Sequence, residues 1–252
     1  MAMRRRRALK RVALTGFVAA LSLAAIASPA SASVTIGQLA QNSPSSETSA
    51  DTDRAQPSVV SGNSYVVPAS GGVTTWTLTS WSHNAAADVG QELTMKVFRK
   101  VADPLTYTVV GHDGPRSLTP SIVNTFQTRL PVKAGDVLGN NSKSPADNAS
   151  YFPAPGESFI ELQPGLADGQ MGTFALGADP LRLNISAVLE PDADQDGFGD
   201  ETQDQCPANA GTQGPCPVAP VTSAKKQKCK KKKKKHSAES AKKKKCKKKK
   251  KK

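Results

Sequence analysis

Aromatic residues are scarce in this chain of 252 residues, at 5%, and histidine occurs three times. Long apolar runs are missing beyond the first thirty or so positions, and no stretch carries the 3.6-residue periodicity of an amphipathic helix. The Gly-x-Ser-x-Gly elbow, the His-Glu-x-x-His zinc motif and a phosphate-cradling glycine loop are lacking as well. These shortages argue against a large multi-domain enzyme, a second membrane-inserting segment and the commoner hydrolase and nucleotide chemistries. Acid is absent from residues 1–32, which hold six Lys or Arg, and nearly absent from residues 225–252, with nineteen Lys and one Glu. The whole chain is +13, which leaves −11 for the middle. A single basic nucleic-acid-binding domain is excluded, because the part long enough to fold is acidic.

Residues 1–32 read as a signal peptide. Arg4, Arg5, Arg6, Arg7, Lys10 and Arg11 precede an apolar run from Val12 to Ala27, and Ala30 and Ala32 suit cleavage before Ser33. The run is short for a bilayer span, which needs about 20 apolar residues, so no stable membrane insertion is expected after cleavage. Arg5-Arg6-Arg7-Ala8-Leu9-Lys10 resembles the twin-arginine export motif, and the export route stays open. The mature protein is expected outside the cell, secreted or on its surface.

Residues 33–57, rich in Ser, Thr, Ala, Gln and Asp, read as a disordered linker. Residues 58–190 read as an all-β domain, an antiparallel β-sandwich of jelly-roll-like form. Apolar residues recur there with period two in short runs bounded by Gly71-Gly72, Asp113-Gly114, Ala134-Gly135-Asp136 and Pro164-Gly165. Leu181, Leu183, Ile185, Ala187 and Leu189 predict one long strand. Trp76 and Trp81 lie five apart. A regular strand turns one of them outward to meet a sugar, whereas a bulge between them puts both in the core. Gly111-His112-Asp113-Gly114 reads as a hairpin tip. The stretch Leu130–Gly139 is similar to a strand, turn and strand of secreted jelly-roll and carbohydrate-binding modules.

Residues 191–207 carry the strongest chemical signal. Asp192, Asp194, Asp196, Asp200 and Asp204 fall within thirteen residues. Carboxylates packed so closely repel unless a cation sits among them, and a hard, oxygen-seeking ion such as Ca²⁺ fits that donor type. Asp192, Asp194 and Asp196 occupy positions one, three and five, Gly197 allows the sharp turn, the Phe198 carbonyl adds an oxygen and Asp200 follows at position nine. Gln203 stands where an EF-hand places a bidentate Glu, so that reading fails. The stretch resembles a thrombospondin type 3 calcium repeat, whose Asp-x-Asp-x-Asp-Gly-x-x-Asp core runs into Asp-x-Cys-Pro. Here Asp204-Gln205-Cys206-Pro207 supplies that ending, after one extra residue. The resemblance implies structural calcium that orders an acidic segment, with Asp204 among the ligands.

Residues 208–224 form a Pro/Ala/Thr-rich linker that contains most of a loop closed by Cys206 and Cys216. In an exported protein these two are the expected disulfide pair, and zinc is the alternative for paired cysteines. Residues 225–252 form a lysine-rich tail, expected to be disordered because it has nothing to bury. Lys228, Lys230 and Lys231 flank Cys229, and Lys245, Lys247 and Lys248 flank Cys246. The surrounding ammonium groups favour thiolate, so both cysteines should oxidise readily. The tail is expected to hold anionic cell-envelope polymers, or to fold back on the acidic middle. Nucleic acid would bind only non-specifically, since no aromatic residue interleaves the lysines. A glycosidase needs only two carboxylates, so Glu92, Asp136, Glu157 and Glu161 keep that alternative open, although carboxylates this sparse are normally a solvated face. The expected protein is a non-catalytic calcium-binding surface or adhesion protein, with a carbohydrate-binding or glycan-hydrolysing module as the alternative and a glycan as a further partner.

Overall fold

The computed structural model describes residues 32–41, 50–69, 72–143 and 146–218. Among them are strands and no helix. In chain order the strands are β1 (Val34–Gln38), β2 (Asp53–Ala55), β3 (Thr75–Asn84), β4 (Glu92–Ala102), β5 (Thr106–Ser117), β6 (Val123–Lys133) and β7 (Val137–Asn141). They continue with β8 (Tyr151–Pro153), β9 (Ile160–Leu162), β10 (Met171–Thr173), β11 (Ala175–Leu176), β12 (Leu181–Leu183) and β13 (Ile185–Pro191). One sheet runs β1-β13-β3-β6 and a larger one β10-β5-β4-β7-β2-β9-β11, while β12 and β8 form a small pair. All of these pairings are antiparallel.

The main core lies between the two large sheets. Ile36, Trp76, Leu78, Trp81, Ile185, Ala187 and Leu189 from the smaller sheet meet Leu93, Met95, Val97 and Leu138 from the larger. Both tryptophans are fully buried, and the β13–β3 register shifts between Val188 and Leu189, where Thr79 is the extra residue on β3. The extra residue of that bulge turns two positions of opposite parity to one face. A second cluster, with Phe98, Tyr107, Ile160 and Phe174, includes residues of the chain between Phe159 and Phe174.

Two strands come from the segment expected to be a linker. Residues 33–57 contribute β1 and β2, so the sandwich begins at Val34 rather than near residue 58. The polar composition concealed them because their buried polar groups are matched in space. Asp53 accepts hydrogen bonds from Lys96 Nζ at 2.6 Å, Asn141 Nδ2 at 2.8 Å and the Leu166 amide at 2.8 Å. Gly37 lets β1 approach β13, since a Cβ there would lie 2.3 Å from the Ile185 carbonyl oxygen.

Two further expectations are corrected. Leu181–Leu189 is not one strand: it changes sheets at Asn184, with β12 pairing β8 and β13 pairing β1 and β3. Buried Asn184 holds the crossing, donating to the carbonyls of Asn84 (2.7 Å) and Ala149 (2.9 Å) and accepting from the Ala40 amide (3.0 Å). Gly111–Gly114 is not a hairpin tip but lies inside β5, opposite β4 across register shifts. Among the described residues, β5 beyond Thr108 has no strand partner on its other side, which tolerates Pro115. The proposed signal peptide up to Ser31 and the lysine tail, with Lys228, Lys230, Lys231, Lys245, Lys247 and Lys248, lie outside the described residues.

Candidate metal centre

The acidic loop starts where β13 ends and stays attached to the sheet. The Asp192 amide donates to the Thr75 carbonyl at 3.3 Å, and Thr75 Oγ1 donates to the Asp192 carbonyl at 2.8 Å. From this fixed point the chain curls around the Asp192 carboxylate, which accepts from the amides of Asp196 (3.1 Å) and Gly197 (3.0 Å). Gly197 has φ +86°, the left-handed region that glycine enters without steric cost. Asp196 Oδ1 accepts from the Phe198 amide at 2.9 Å. The Asp200 amide donates back to the Pro191 carbonyl at 2.9 Å, and the Asp200 carboxylate accepts from the Ala193 amide at 3.2 Å.

Oxygen atoms of Asp192, Asp194 and Asp196 lie within 4.8 Å of one another. At that separation two unit charges repel by roughly 3 kcal/mol at an effective dielectric of about 20. Both carboxylate oxygens of Asp194 and Oδ2 of Asp204 are buried atoms with no hydrogen-bond partner. Burial, together with the charges of Asp192, Asp194 and Asp204, pushes the Asp200 carboxyl up to about 6 against the hydrogen bond from Ala193. Burial and neighbouring charges, Asp196 first among them, also raise Asp194. Asp200 and Asp204 are not among the three whose oxygens lie that close, although the charge of Asp204 acts on both Asp194 and Asp200. Every donor in the set is a hard oxygen, the type that suits a divalent cation of the alkaline-earth kind. The Phe198 ring lies under the Arg129 guanidinium, 4.0 Å from it, which fixes that part of the loop against β6.

Sequence reasoning missed the residue that docks the loop. Glu190, buried at the end of β13, accepts from the amides of Glu201 (3.1 Å) and Thr202 (2.8 Å) and from the hydroxyls of Thr202 (2.7 Å) and Thr79 (3.2 Å). Gly199 passes so close that a Cβ would sit 2.5 Å from Glu190 Oε2 and 2.8 Å from Thr79 Cγ2. Gln203 adds a bond to the Thr128 carbonyl at 3.0 Å. The acidic segment is therefore built against the sandwich and is not a separate stalk. The only prior signal was a glutamate two residues before the first aspartate.

Cys206 and Cys216 form a disulfide, with Cα atoms 4.8 Å apart. The closed loop touches the cluster at two places, Cys206 N to Asp204 Oδ1 (2.8 Å) and Gln213 Nε2 to Asp196 Oδ2 (2.8 Å). Beside the loop is a cleft of about 350 Å³, lined by Trp76, Arg99, Val110, Pro131 and Lys133 as well as by Asp192, Gln195 and Asp196. Among the sparse carboxylates, Asp136 pairs with Arg99 (2.7 Å), Glu161 lies 3.8 Å from Arg54, and Glu157 pairs with Arg182. His83 is buried in β3, with Nδ1 2.6 Å from the Asn184 carbonyl oxygen, and burial lowers it to about 4. Comparisons of the chain with protein-family models, curated proteins and solved structures return no match.

Proposed function

We propose that this chain is a non-catalytic, secreted calcium-binding protein of the cell surface, held on anionic envelope polymers by its lysine tail. The observation that carries the calcium part is the pair of partnerless, buried oxygens of Asp194 inside a cluster of aspartates. An oxygen cage of this kind offsets its own repulsion by taking up Ca²⁺, with Asp192, Asp194, Asp196, Asp200 and Asp204 as side-chain ligands and the Phe198 carbonyl as a backbone ligand. Extracellular calcium modules bind at about 0.1–1 mM, so the site would fill outside a cell. Bound calcium would then set the shape of the loop that lines the cleft and keep it attached to β13.

Retention rests on charge. Nineteen lysines in residues 225–252 release counterions on meeting a polyanion, an attraction that weakens steeply with salt. Two measurements test the proposal. An aspartate-directed protease should cut residues 192–206 more slowly in calcium than in chelator, and equal rates would remove the calcium site. Full-length protein should need more salt than a chain ending at residue 224 to wash from cell envelopes, and equal elution would remove the tail from the account.

The cleft favours a second reading, a module that takes a glycan. Its mixed lining, with Arg99, Lys133 and Asp196 beside Val110 and Pro131, suits hydroxyls and the faces of sugar rings. Retention of the tail-less chain on a glycan array at high salt would support this reading over the first.

A further inference from the structure

The loop closed by Cys206 and Cys216 contributes nothing to the sandwich core apart from buried Cys206, yet its hydrogen bonds converge on the acidic cluster. At its base the Cys206 amide holds Asp204 Oδ1 at 2.8 Å, which leaves Oδ2 of that buried carboxylate without a partner. Further along, Gln213 Nε2 holds Asp196 Oδ2 at 2.8 Å, and the Gln205 amide donates to the Gln213 carbonyl at 2.9 Å. The disulfide closes the chain three residues after Gln213, so one covalent bond keeps Gln213 over Asp196. Cys206 is buried and Cys216 is exposed, which makes the Cys216 sulfur the one a reductant meets.

We propose that the Cys206–Cys216 disulfide sets the cation affinity of the acidic loop, acting through Gln213 as the residue that positions Asp196. This inference rests on the calcium reading above. In the oxidised chain Asp196 is aimed by two donors, the Phe198 amide and Gln213. Reduction removes the covalent closure that holds the second. A dithiol, as carried by thiol oxidoreductases outside the cytoplasm, supplies the electrons. Its thiolate attacks the Cys216 sulfur, the S–S bond breaks, and Cys206 leaves as a thiolate that takes up a proton. The second thiol of the dithiol then displaces Cys216, so the reagent ends as a disulfide and the chain holds two thiols. Groups that orient a metal ligand are worth roughly 10- to 100-fold in affinity. Binding linkage is reciprocal, so calcium must protect the disulfide by the same factor by which the disulfide tightens calcium.

The test is a calorimetric calcium titration of the full chain, oxidised and dithiothreitol-treated, with oxidised Gln213→Ala alongside. The coupling predicts affinity about tenfold weaker in Gln213→Ala and at least as weak after reduction. Mass spectrometry of the peptides holding Cys206 and Cys216 should find less reduction at fixed dithiothreitol in calcium than in chelator, and Gln213→Ala should lose most of that protection. Gln213→Ala keeps the disulfide, so it tests the coupling even if the reduced chain unfolds. Wild-type affinity in Gln213→Ala with unchanged protection would overturn the coupling and leave the calcium site standing. An oxidised wild-type chain that takes up no calcium would overturn both.

Discussion

The sandwich and the acidic loop both bury carboxylates, and they handle them in opposite ways. Inside the sandwich three buried acids each have a base, Glu190 at its seam with the loop being held by amides and hydroxyls instead. Asp53 meets Lys96 at 2.6 Å, Asp136 meets Arg99 at 2.7 Å and Glu157 meets Arg182. In the loop the donors are backbone amides, the Thr77 hydroxyl and one glutamine, and they run out before Asp194 is reached. A buried charge costs several kcal/mol unless it is paired and hydrogen-bonded. The first region is therefore complete in itself, and on the function proposed above a cation from outside completes the second.

The largest expected effect breaks the self-sufficient side. Lys96→Met leaves Asp53 buried without its base and should cost about 3–5 kcal/mol in chemical denaturation. Adding Asp53→Asn should recover more than half of it, because no charge then stays buried. A loss under about 1 kcal/mol for Lys96→Met would mean that the sandwich acids do not depend on their bases.

His83 offers the next test, as a buried base with no acid beside it. Its pKa of about 4 in the folded chain lies below the ordinary 6.5. Between those values the unfolded chain binds the proton and the folded chain does not, so stability rises with pH across the window and falls as pH drops from 6.5 towards 4. The full loss is on the order of 3 kcal/mol. Melting curves of wild type and His83→Gln across this range should diverge, with the variant losing that dependence.

Gly199→Ala strikes the seam between the regions. Its methyl group would press on Glu190 and Thr79 and should cost about 1–3 kcal/mol, and it should speed cleavage of the loop even in calcium. Asp194→Asn sharpens the comparison with the smallest shift and the opposite sign. Without calcium it removes repulsion and should raise the melting temperature by about 2–4 °C, worth about 1 kcal/mol, whereas a sandwich acid similarly changed should lower it.

Part of this architecture was legible in the sequence. Period-two runs gave strands, and the aspartate spacing marked the loop because those carboxylates lie close together along the chain. Cys206 and Cys216 were legible for the same local reason. Other features depended on distant partners. Asp53 and Arg54 read as linker because Lys96, Asn141 and Ser142 that match them lie at least forty positions away. Asn184 interrupts a strand whose apolar alternation continues unbroken, since Leu183 and Ile185 enter the same core on either side of it. Glu190 and Gln213 carry no spacing signature: each gains its role by what folding brings next to it.

The central claim is that the loop is incomplete without a cation, and the most direct measurement is a calcium titration by calorimetry of the oxidised chain beside Asp194→Asn. The account predicts saturable heat with a midpoint of about 0.1–1 mM for wild type and none over that range for the variant. Identical traces, or no heat from the wild type, would contradict it.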